Sequence, residues 1–295
     1  IYIAPRKAWL TGAARTGSAM RASRPVRITA TAFAWTLAAV SGAVPMAVLV
    51  WRSLPLRSYS EVFATAKTEI VTSILLAALT ATIVTSLAFV LAYLNRLHHQ
   101  TARRDIPPHP LQRGSWFVSS LLALRHASLL AFLASGPVLG TALILTWNRP
   151  GPPAWIYDTV LVVLLACSAR YLFFAQYACE NTLRDVDVQL DEAACVAGAP
   201  WWRVFSGILL PVSWPALAGV WGLAFILAMG EIDATALVCP PGVTPLSGRI
   251  FSLMHYGPSR LVAALSVTTV CIILACAAVT AGLYAKGKRV RDAQR

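Results

Sequence analysis

Charge is scarce in this chain: 13% of its 295 residues are Asp, Glu, Lys or Arg, while 57% are apolar. So long a chain with so few charges is typical of integral membrane proteins. Acidic residues are the scarcest, 12 against 25 Lys and Arg, which gives a net charge of +13. The basic residues cluster at the ends of apolar runs, and this distribution argues against a nucleic-acid binder.

Several chemical signatures are also missing from the sequence. The six cysteines are scattered along the chain, and most fall in or beside apolar runs, which indicates small apolar residues rather than a disulfide framework. There is no zinc-type cluster, because His98, His99 and His109 lack a regular ligand spacing. No Gly-rich Lys-Ser/Thr phosphate loop occurs, so this chain is not expected to hydrolyse ATP by itself. Residues 1–28 are basic and too polar for the core of a signal peptide.

Long apolar runs are what the chain does have, and six of them are long enough to cross a bilayer as helices. The sequence therefore predicts an all-α integral membrane protein. The predicted spans are 28–51, 70–94, 127–147, 155–171 (with a possible extension to 178), 212–238 and 261–284. The corresponding organisation is a basic N-terminal segment at 1–27, a six-span domain at 28–285 and a basic tail at 286–295.

The placement of Lys and Arg predicts the orientation of these spans. With the N-terminus inside, 19 of the 25 Lys and Arg residues, Arg170 among them, fall in inner segments and 6 in outer segments. Because cytoplasmic loops are rich in these residues, both termini are expected in the cytoplasm. The connector 180–211 is then cytoplasmic as well. The connector 97–126 is expected to be a solvated basic loop, with its apolar end lying along the membrane interface.

The first part of the connector 180–211 predicts a helix. Residues 180–197 contain good helix formers and no Gly or Pro, and Glu180 and Arg184 are spaced to pair on one face. Gly198 is well placed to end this helix in the left-handed conformation. The helix carries a face of small residues that lets another backbone approach closely, formed by Ala193, Ala194 and Ala197.

A second helix is expected directly after this turn. Pro200 suits its first turn, and Trp201, Phe205 and Ile208 fall on one stripe that can pack against the spans. Leu210-Pro211 is expected to end it at the entry to the fifth span.

Residues 192–211 resemble the Glu-Ala-Ala loop of ATP-binding-cassette (ABC) importer permeases. In that family the loop reads Glu-Ala-Ala, three residues, Gly, nine residues and Ile-x-Leu-Pro, and this chain matches every named position. The resemblance implies that the loop docks on a separate ATPase dimer, which binds ATP and magnesium, and that this chain holds no cofactor. It implies that Glu192 makes a charged contact with the ATPase. The residues assigned to this coupling are Glu192, Ala193, Ala194, Gly198, Phe205, Ile208, Leu210 and Pro211.

Residues 230–257 look like the corresponding region of ferric-iron-type permeases and their thiamine, phosphonate and spermidine/putrescine relatives. Residues 135–140 and 170–172 resemble two further stretches of these permeases, and the whole resemblance covers about 70–284. It implies a type I (MetI-like) permease in the bacterial inner membrane, working with a periplasmic substrate-binding protein. Ferric iron is the expected substrate, and thiamine, phosphonate or a polyamine are the alternatives.

Two acidic residues fall in or near the outer part of the fifth predicted span. An ionisable group at such a position predicts a functional role. Glu231 and Asp233, with Thr235 beside them, are therefore candidate pathway or gating residues. A structural carboxylate paired to Arg249 or to helix ends is the other interpretation, and a structural or gating role is favoured over direct substrate contact.

Ferric-iron permeases commonly carry two six-span halves in one chain, each with its own loop. One loop is present here, the sequence starts at Ile1, and residues 1–27 look similar to the joint between halves. We therefore expect the C-terminal half of a longer permease, with a separate second copy as the alternative. A secondary transporter would need no ATPase and would make the loop accidental. A membrane-embedded enzyme would need a cluster of His, Asp or Glu at membrane depth, which the sequence does not indicate.

Overall fold

The computed structural model describes residues 24–54, 57–104 and 115–293, and every regular element in these ranges is helical. The chain divides into two compact units, residues 1–51 and 52–295, which are described separately. The elements are α1 (Arg24–Ala38), a π turn (Ala39–Ala43), α2 (Val44–Ser53), α3 (Arg57–Thr65), α4 (Lys67–Arg104), α5 (Ser115–Leu133), α6 (Gly136–Trp147), α7 (Pro152–Tyr157), α8 (Leu161–Arg184), α9 (Val188–Val196), α10 (Trp201–Val204), a second π turn (Phe205–Leu209), α11 (Leu210–Met229), α12 (Thr235–Val238), α13 (Leu246–Tyr256) and α14 (Ser259–Ala293).

The first unit contains one apolar helical segment with a widened turn in its middle. Proline has no N–H group, and its ring clashes with the carbonyl four residues earlier in an α-helix. Ahead of Pro45, the N–H of Val44 donates to the carbonyl of Ala39, five residues back, in the π turn. This local widening lets the segment continue through the proline. The run Ile28–Ser53 is long and apolar enough to cross a membrane, as predicted.

Four more helices in the second unit meet the same length and hydropathy test. Together with the first unit, these segments confirm an all-α membrane protein with several predicted spans. The four segments are Lys67–Leu97, Leu161–Arg184, Trp202–Met229 and Ser259–Gly287.

The loop expected at 97–126 is mostly helical. Helix α4 continues well past the predicted end of the second span, to Arg104, and α5 begins at Ser115. Residues 105–114 lie outside the described residues.

The third predicted span is not one helix, so the expectation of a continuous span at 127–147 was wrong. Helices α5 and α6 meet at an angle of 120°. Ser135 is extended at the joint, and Pro137 lies in the first turn of α6. Pro137 cannot donate a helical hydrogen bond but fits a helix start, so the chain breaks before it and restarts.

The core of the second unit forms where α4, α8, α11 and α14 pack together. Helix α4 buries Ala77, Ala81, Ala88 and Ala92, whose spacing places them along one side of the helix. Small side chains allow neighbouring helices to approach closely, which is how helices associate in a bilayer.

Contacts between these helices also fix their relative directions. Asn95 of α4 meets Glu180 of α8 near the C-terminal ends of both spans, so these helices run the same way. Helix α11 runs the opposite way, because its Trp221 Nε1 donates to Thr82 of α4 at 3.0 Å while the preceding π turn contacts α4 nearer its C-terminal end. The topology predicted from the sequence, with the N-terminus inside, requires the second and fourth spans to run in one direction and the fifth span in the opposite direction.

Candidate functional site

The connector between the fourth and fifth spans begins with a helix break that sequence reasoning missed. A single helix over 180–197 was expected, but α8 ends at Arg184 and α9 starts at Val188. Asp187 creates the new start, because its Oδ1 accepts the N–H of Gln189 at 3.0 Å and so caps α9. The predicted pair of Glu180 with Arg184 is present, at 3.9 Å.

The turn after α9 has the predicted geometry. Gly198 has φ +70°, in the left-handed region that disfavours residues with a Cβ. The N–H of Ala199 donates to the carbonyl of Ala194 at 3.0 Å, which is the long bond of a Schellman ending. The carbonyl of Pro200 then accepts the N–H of Arg203 at 2.9 Å, so Pro200 opens the next helix as expected.

That next helix does not stop at Leu210-Pro211, and this expectation was wrong. Helix α10, the second π turn and α11 form one continuous helical segment. The N–H of Leu210 donates to the carbonyl of Phe205, five residues back, just before Pro211. The widened turn accommodates the proline, as at Pro45 in the first span. The predicted span at 212–238 is therefore shifted, since the long helix covers Trp202–Met229.

We name residues 188–209 the coupling hairpin. Its inner side packs on the spans: Ala194 is buried, Ile208 contacts the core, and the ring of Phe205 lies 5.2 Å from Phe89 and 5.1 Å from Tyr93. Leu210 is half-buried on the same core, just past the hairpin.

The outer side of the hairpin exposes apolar side chains. Val196 is 91% exposed, and Leu190 and Trp202 are also exposed. Ala193 and Ala197 share this exposure, so only part of the predicted small-residue face is buried. The side chains of Glu192 and Trp201 lie outside the described residues.

A second site, which is polar, lies where the fourth and fifth spans meet. Glu231 is 5% exposed, and its Oε1 lies 3.3 Å from Nη1 of Arg170. The hydroxyl of Tyr171 donates to Oε2 of Glu231, and the N–H of Ala234 donates to Oε1 at 3.0 Å. The carboxylate of Glu231 thus has a charged partner and two further donors, as a buried charge requires.

Asp233 and Thr235 complete this cluster in different ways. Asp233 Oδ2 lies 3.4 Å from Nη2 of Arg170, and its side chain is 55% exposed. Thr235 is buried, and its hydroxyl donates to the carbonyl of Glu231 at 3.0 Å. We name the group Arg170, Tyr171, Glu231 and Asp233 the arginine–carboxylate cluster.

The stretch 135–140 packs directly on this cluster. A Cβ on Gly136 would lie 2.1 Å from Cβ of Asp233 and 2.5 Å from Nη1 of Arg170. Such distances are far inside van der Waals contact, so only glycine allows α6 to start here. Three stretches that resembled one family in the sequence, at 135–140, 170–172 and 230–235, therefore meet at one place.

Two sequence expectations about charge are corrected by this geometry. Glu231 pairs with Arg170 rather than with Arg249, whose Nε lies 3.8 Å from Oε1 of Glu69. Arg170 was counted among the inner loop residues, yet it lies inside α8, about 21 Å from Arg184 along the helix axis at 1.5 Å per residue. Removing it leaves 18 inner and 6 outer basic residues, so the bias persists.

The partners Arg170 and Tyr171 were not among the predicted site residues. The signal that would have found them is an arginine within an apolar run, since such a residue needs a carboxylate partner at the same depth. Among the described residues, no group of three His, Cys, Asp or Glu side chains is arranged to hold a metal ion. The Nδ1 atom of His255 lies 2.9 Å from the carbonyl oxygen of Phe251, within its own helix.

Comparison with known proteins gives a family for this architecture. The family model described as "Binding-protein-dependent transport system inner membrane component" matches residues 128–292, which contain both the coupling hairpin and the arginine–carboxylate cluster.

Individual relatives agree with that match. The chain is 31% identical over 126 residues to a protein of Salmonella paratyphi A named as a 2-aminoethylphosphonate transport system permease, covering 41% of this chain and 46% of the relative. It is 29% identical over 138 residues to a putrescine transport system permease protein of Escherichia coli K12, covering 46% and 49%. It is 27% identical over 177 residues to a spermidine/putrescine transport system permease protein of the same strain, covering 60% and 62%. The chain spans about half to three fifths of the length of these relatives.

Proposed function

Since the chain belongs to the family of inner membrane components of binding-protein-dependent transport systems, we propose that it is a transmembrane subunit of a bacterial ABC importer. Members of this family are multi-pass inner-membrane transport components, not enzymes. The proposed partners are an ABC ATPase dimer in the cytoplasm, a periplasmic substrate-binding protein and a second transmembrane half or copy. In this proposal ATP and magnesium bind to the ATPase, and this chain holds no cofactor.

The observation that carries the proposal is the outer side of the coupling hairpin. Exposed there are Val196, Leu190 and Trp202, at the end of the bundle where the fourth span stops and the fifth span begins. On a connector that leaves the apolar spans, exposed apolar side chains indicate a contact with another protein. The motif Glu192-Ala193-Ala194 lies on α9 of this same hairpin, and Gly198 sets the angle between its two helices.

The hairpin is suited to transmit motion because each of its ends is tied to a span. Phe205 and Ile208 pack it on the core, and α10 continues into the fifth span without a break, through Leu210 and Pro211. Closure of the ATPase dimer on ATP would therefore move the fifth span together with the hairpin. Alternating access follows when ATP and loaded binding protein stabilise different states of the spans.

For the substrate, we propose a small organic molecule that carries a protonated primary amine. The relatives are named for putrescine, spermidine and 2-aminoethylphosphonate, and all three compounds contain an aminoalkyl group. In the arginine–carboxylate cluster one guanidinium serves two carboxylates, and Asp233 remains 55% exposed. An exposed carboxylate is a suitable transient partner for an ammonium group. Ferric iron, the substrate expected from the sequence, finds no support among these relatives.

Uptake into proteoliposomes tests this substrate class. The complete importer with its binding protein is supplied with radiolabelled putrescine, spermidine, 2-aminoethylphosphonate or ferric iron. We expect ATP-dependent uptake of at least one aminoalkyl compound and none of iron. Asp233→Asn should reduce that uptake, whereas Asp158→Asn, which removes an exposed carboxylate next to α7, should not. Uptake of iron alone would contradict the proposal.

A secondary transporter is the competing function, and the family match argues against it. The two are separated by co-purification. An importer subunit should bring an ABC ATPase with it from the membrane, and its uptake should stop when ATP is withheld, whereas a secondary transporter should continue on an ion gradient alone.

A further inference from the structure

The break between α8 and α9 leaves its backbone carbonyls with long local hydrogen bonds: that of Leu183 accepts the N–H of Val186 at 3.3 Å, and that of Asp187 accepts the N–H of Leu190 at 3.4 Å. The last carbonyl groups of a helix have no partner inside it. Helix α8 ends at Arg184, and the next residues, 185–187, are not helical. Hydrogen bonds of this length hold the joint weakly, so donors from outside α8 can fix the angle at which α9 leaves it.

Arg96, near the C-terminal end of the second span, supplies these donors. Its Nη1 donates to the carbonyl of Leu183 and, at 3.1 Å, to that of Val186, while its Nη2 donates to the carbonyl of Asp187 at 3.3 Å. One guanidinium thus binds the last turn of α8 and the residue that caps α9. Charge-assisted bonds of this kind are stronger than neutral ones, and a cation is favoured at a helix C-terminus.

The neighbouring residue of α4 reinforces this contact. Asn95 donates to Oε1 of Glu180 at 3.1 Å, and Glu180 is 6% exposed. Oε2 of Glu180 lies 3.5 Å from Nη2 of Arg125 on α5. The buried carboxylate therefore joins α4, α5 and α8 one turn before the break.

We propose that Arg96 is a positioning residue that locks the second span to the coupling hairpin, so that the two move as one body. The inference rests on the proposed function and goes beyond it, because it names the second span as a route for the signal. Chain connectivity joins the motif only to the fourth and fifth spans, which flank it. Its second helix also packs on the second span, where Phe205 contacts Phe89 and Tyr93, and Arg96 adds a polar contact at the joint before its first helix.

The far end of α4 explains why such a lock would matter. Ser73 accepts the N–H of Leu246 at 2.6 Å, and Ser247 donates to the carbonyl of Glu231 at 2.9 Å. Ser73 and Arg96 lie on one helix, about 35 Å apart at 1.5 Å per residue. Displacement of the hairpin can thus reach the segment that follows the arginine–carboxylate cluster through a single rigid helix.

Arginine is required for this role rather than any cation. Its planar fork presents several donors with fixed spacing, whereas a lysine is a point charge that cannot bind carbonyls on both sides of the joint in the same way. We therefore expect Arg96→Lys to retain part of the function and Arg96→Met to lose it. Arg184→Met is the matched control. Arg184 lies at the same helix end, but its side chain is 70% exposed and its ion pair with Glu180 is long, at 3.9 Å.

Hydrogen exchange of the purified full chain tests the lock without any partner. In Arg96→Met the backbone amides of α9 should exchange about tenfold faster than in the wild type, because opening of the joint becomes easier. The amides of α11 should be unchanged, and Arg184→Met should match the wild type. Equal protection of α9 in Arg96→Met and the wild type would overturn the lock.

The assembled importer tests its consequence. Arg96→Met should keep basal ATP hydrolysis but lose about tenfold in the stimulation by loaded binding protein, with Arg96→Lys in between and Arg184→Met unaffected. In the wild type, the distance between spin labels at Val90 and Val196 should be the same with and without ATP. In Arg96→Met this distance should change when ATP binds. A wild-type distance that changes on ATP binding, or full stimulation in Arg96→Met, would overturn the inference. Absence of any ATPase from the wild-type complex would instead refute the proposed function.

Discussion

Arg170 in the fourth span and Glu231 at the end of the fifth are ion-paired at 3.3 Å, and the same guanidinium reaches Asp233. Because Glu231 is almost fully buried, removing its partner leaves a charge with little access to water. We expect Arg170→Met to destabilise the protein by about 3 kcal/mol, in the range found when one member of a buried pair is removed. Thermal unfolding in detergent measures this.

A double variant separates the pairing from other effects of the substitution. Arg170→Met with Glu231→Gln removes both charges. The amide oxygen can still accept the N–H of Ala234, and the amide NH2 group can donate to the hydroxyl of Tyr171, so part of the lost stability should return. Additive destabilisation in the double variant would show that the pair does not hold these spans together.

Gly136 should tolerate no side chain. In Gly136→Ala the new methyl group would overlap Cβ of Asp233, at 2.1 Å, and force α6 or the segment after the fifth span to move. We expect a loss of about 1–3 kcal/mol in stability. Gly219→Ala is the matched control, because a Cβ there meets nothing within 4 Å. Equal unfolding temperatures for the two variants would contradict the close packing.

The turn of the coupling hairpin should separate folding from coupling. Gly198→Val places a β-branched residue at φ +70°, where it is strained, and Glu192→Lys reverses the charge of the motif. Both variants should insert into the membrane but lose ATP hydrolysis stimulated by the binding protein. Gly198→Asn is the control, since asparagine tolerates the left-handed region best after glycine. Normal stimulation in both variants would rule out this role.

Sidedness of the spans is open to direct labelling. With the six native cysteines replaced, Ser206→Cys on the hairpin should react with a membrane-impermeant maleimide only after the cells are opened. Ser252→Cys, exposed on α13 near the opposite end of α4, should react in intact cells. Strong labelling of Ser206→Cys from outside would invert the proposed topology.

The sequence alone predicted the features that depend on residues close together in the chain, namely most of the spans and the turn of the hairpin. The apolar runs identified most of the spans, and Gly198 and Pro200 identified the turn of the hairpin, because chain length and backbone conformation decide them. The break at 185–187 was missed because helix propensity favoured continuity, whereas a tertiary donor, Arg96, stabilises the break.

The continuous passage through Pro211 was missed for a different reason. A proline inside a helix normally indicates an end, yet a π turn two residues earlier removes the conflict. The partner of Glu231 was also beyond the sequence alone, because Arg170 is 61 residues away and pairing follows from helix packing. The order of residues shows which charges need partners, and the fold decides which ones meet.

Cross-linking from the hairpin to the ATPase tests the central claim most directly. Val196 is 91% exposed on α9, so Val196→Cys in a cysteine-free chain carries a photoactivatable cross-linker without disturbing the core. We predict that it cross-links to an ABC ATPase in native membranes, and that Ser252→Cys carrying the same reagent does not. No ATPase adduct from Val196→Cys, or an equal adduct from Ser252→Cys, would contradict the account.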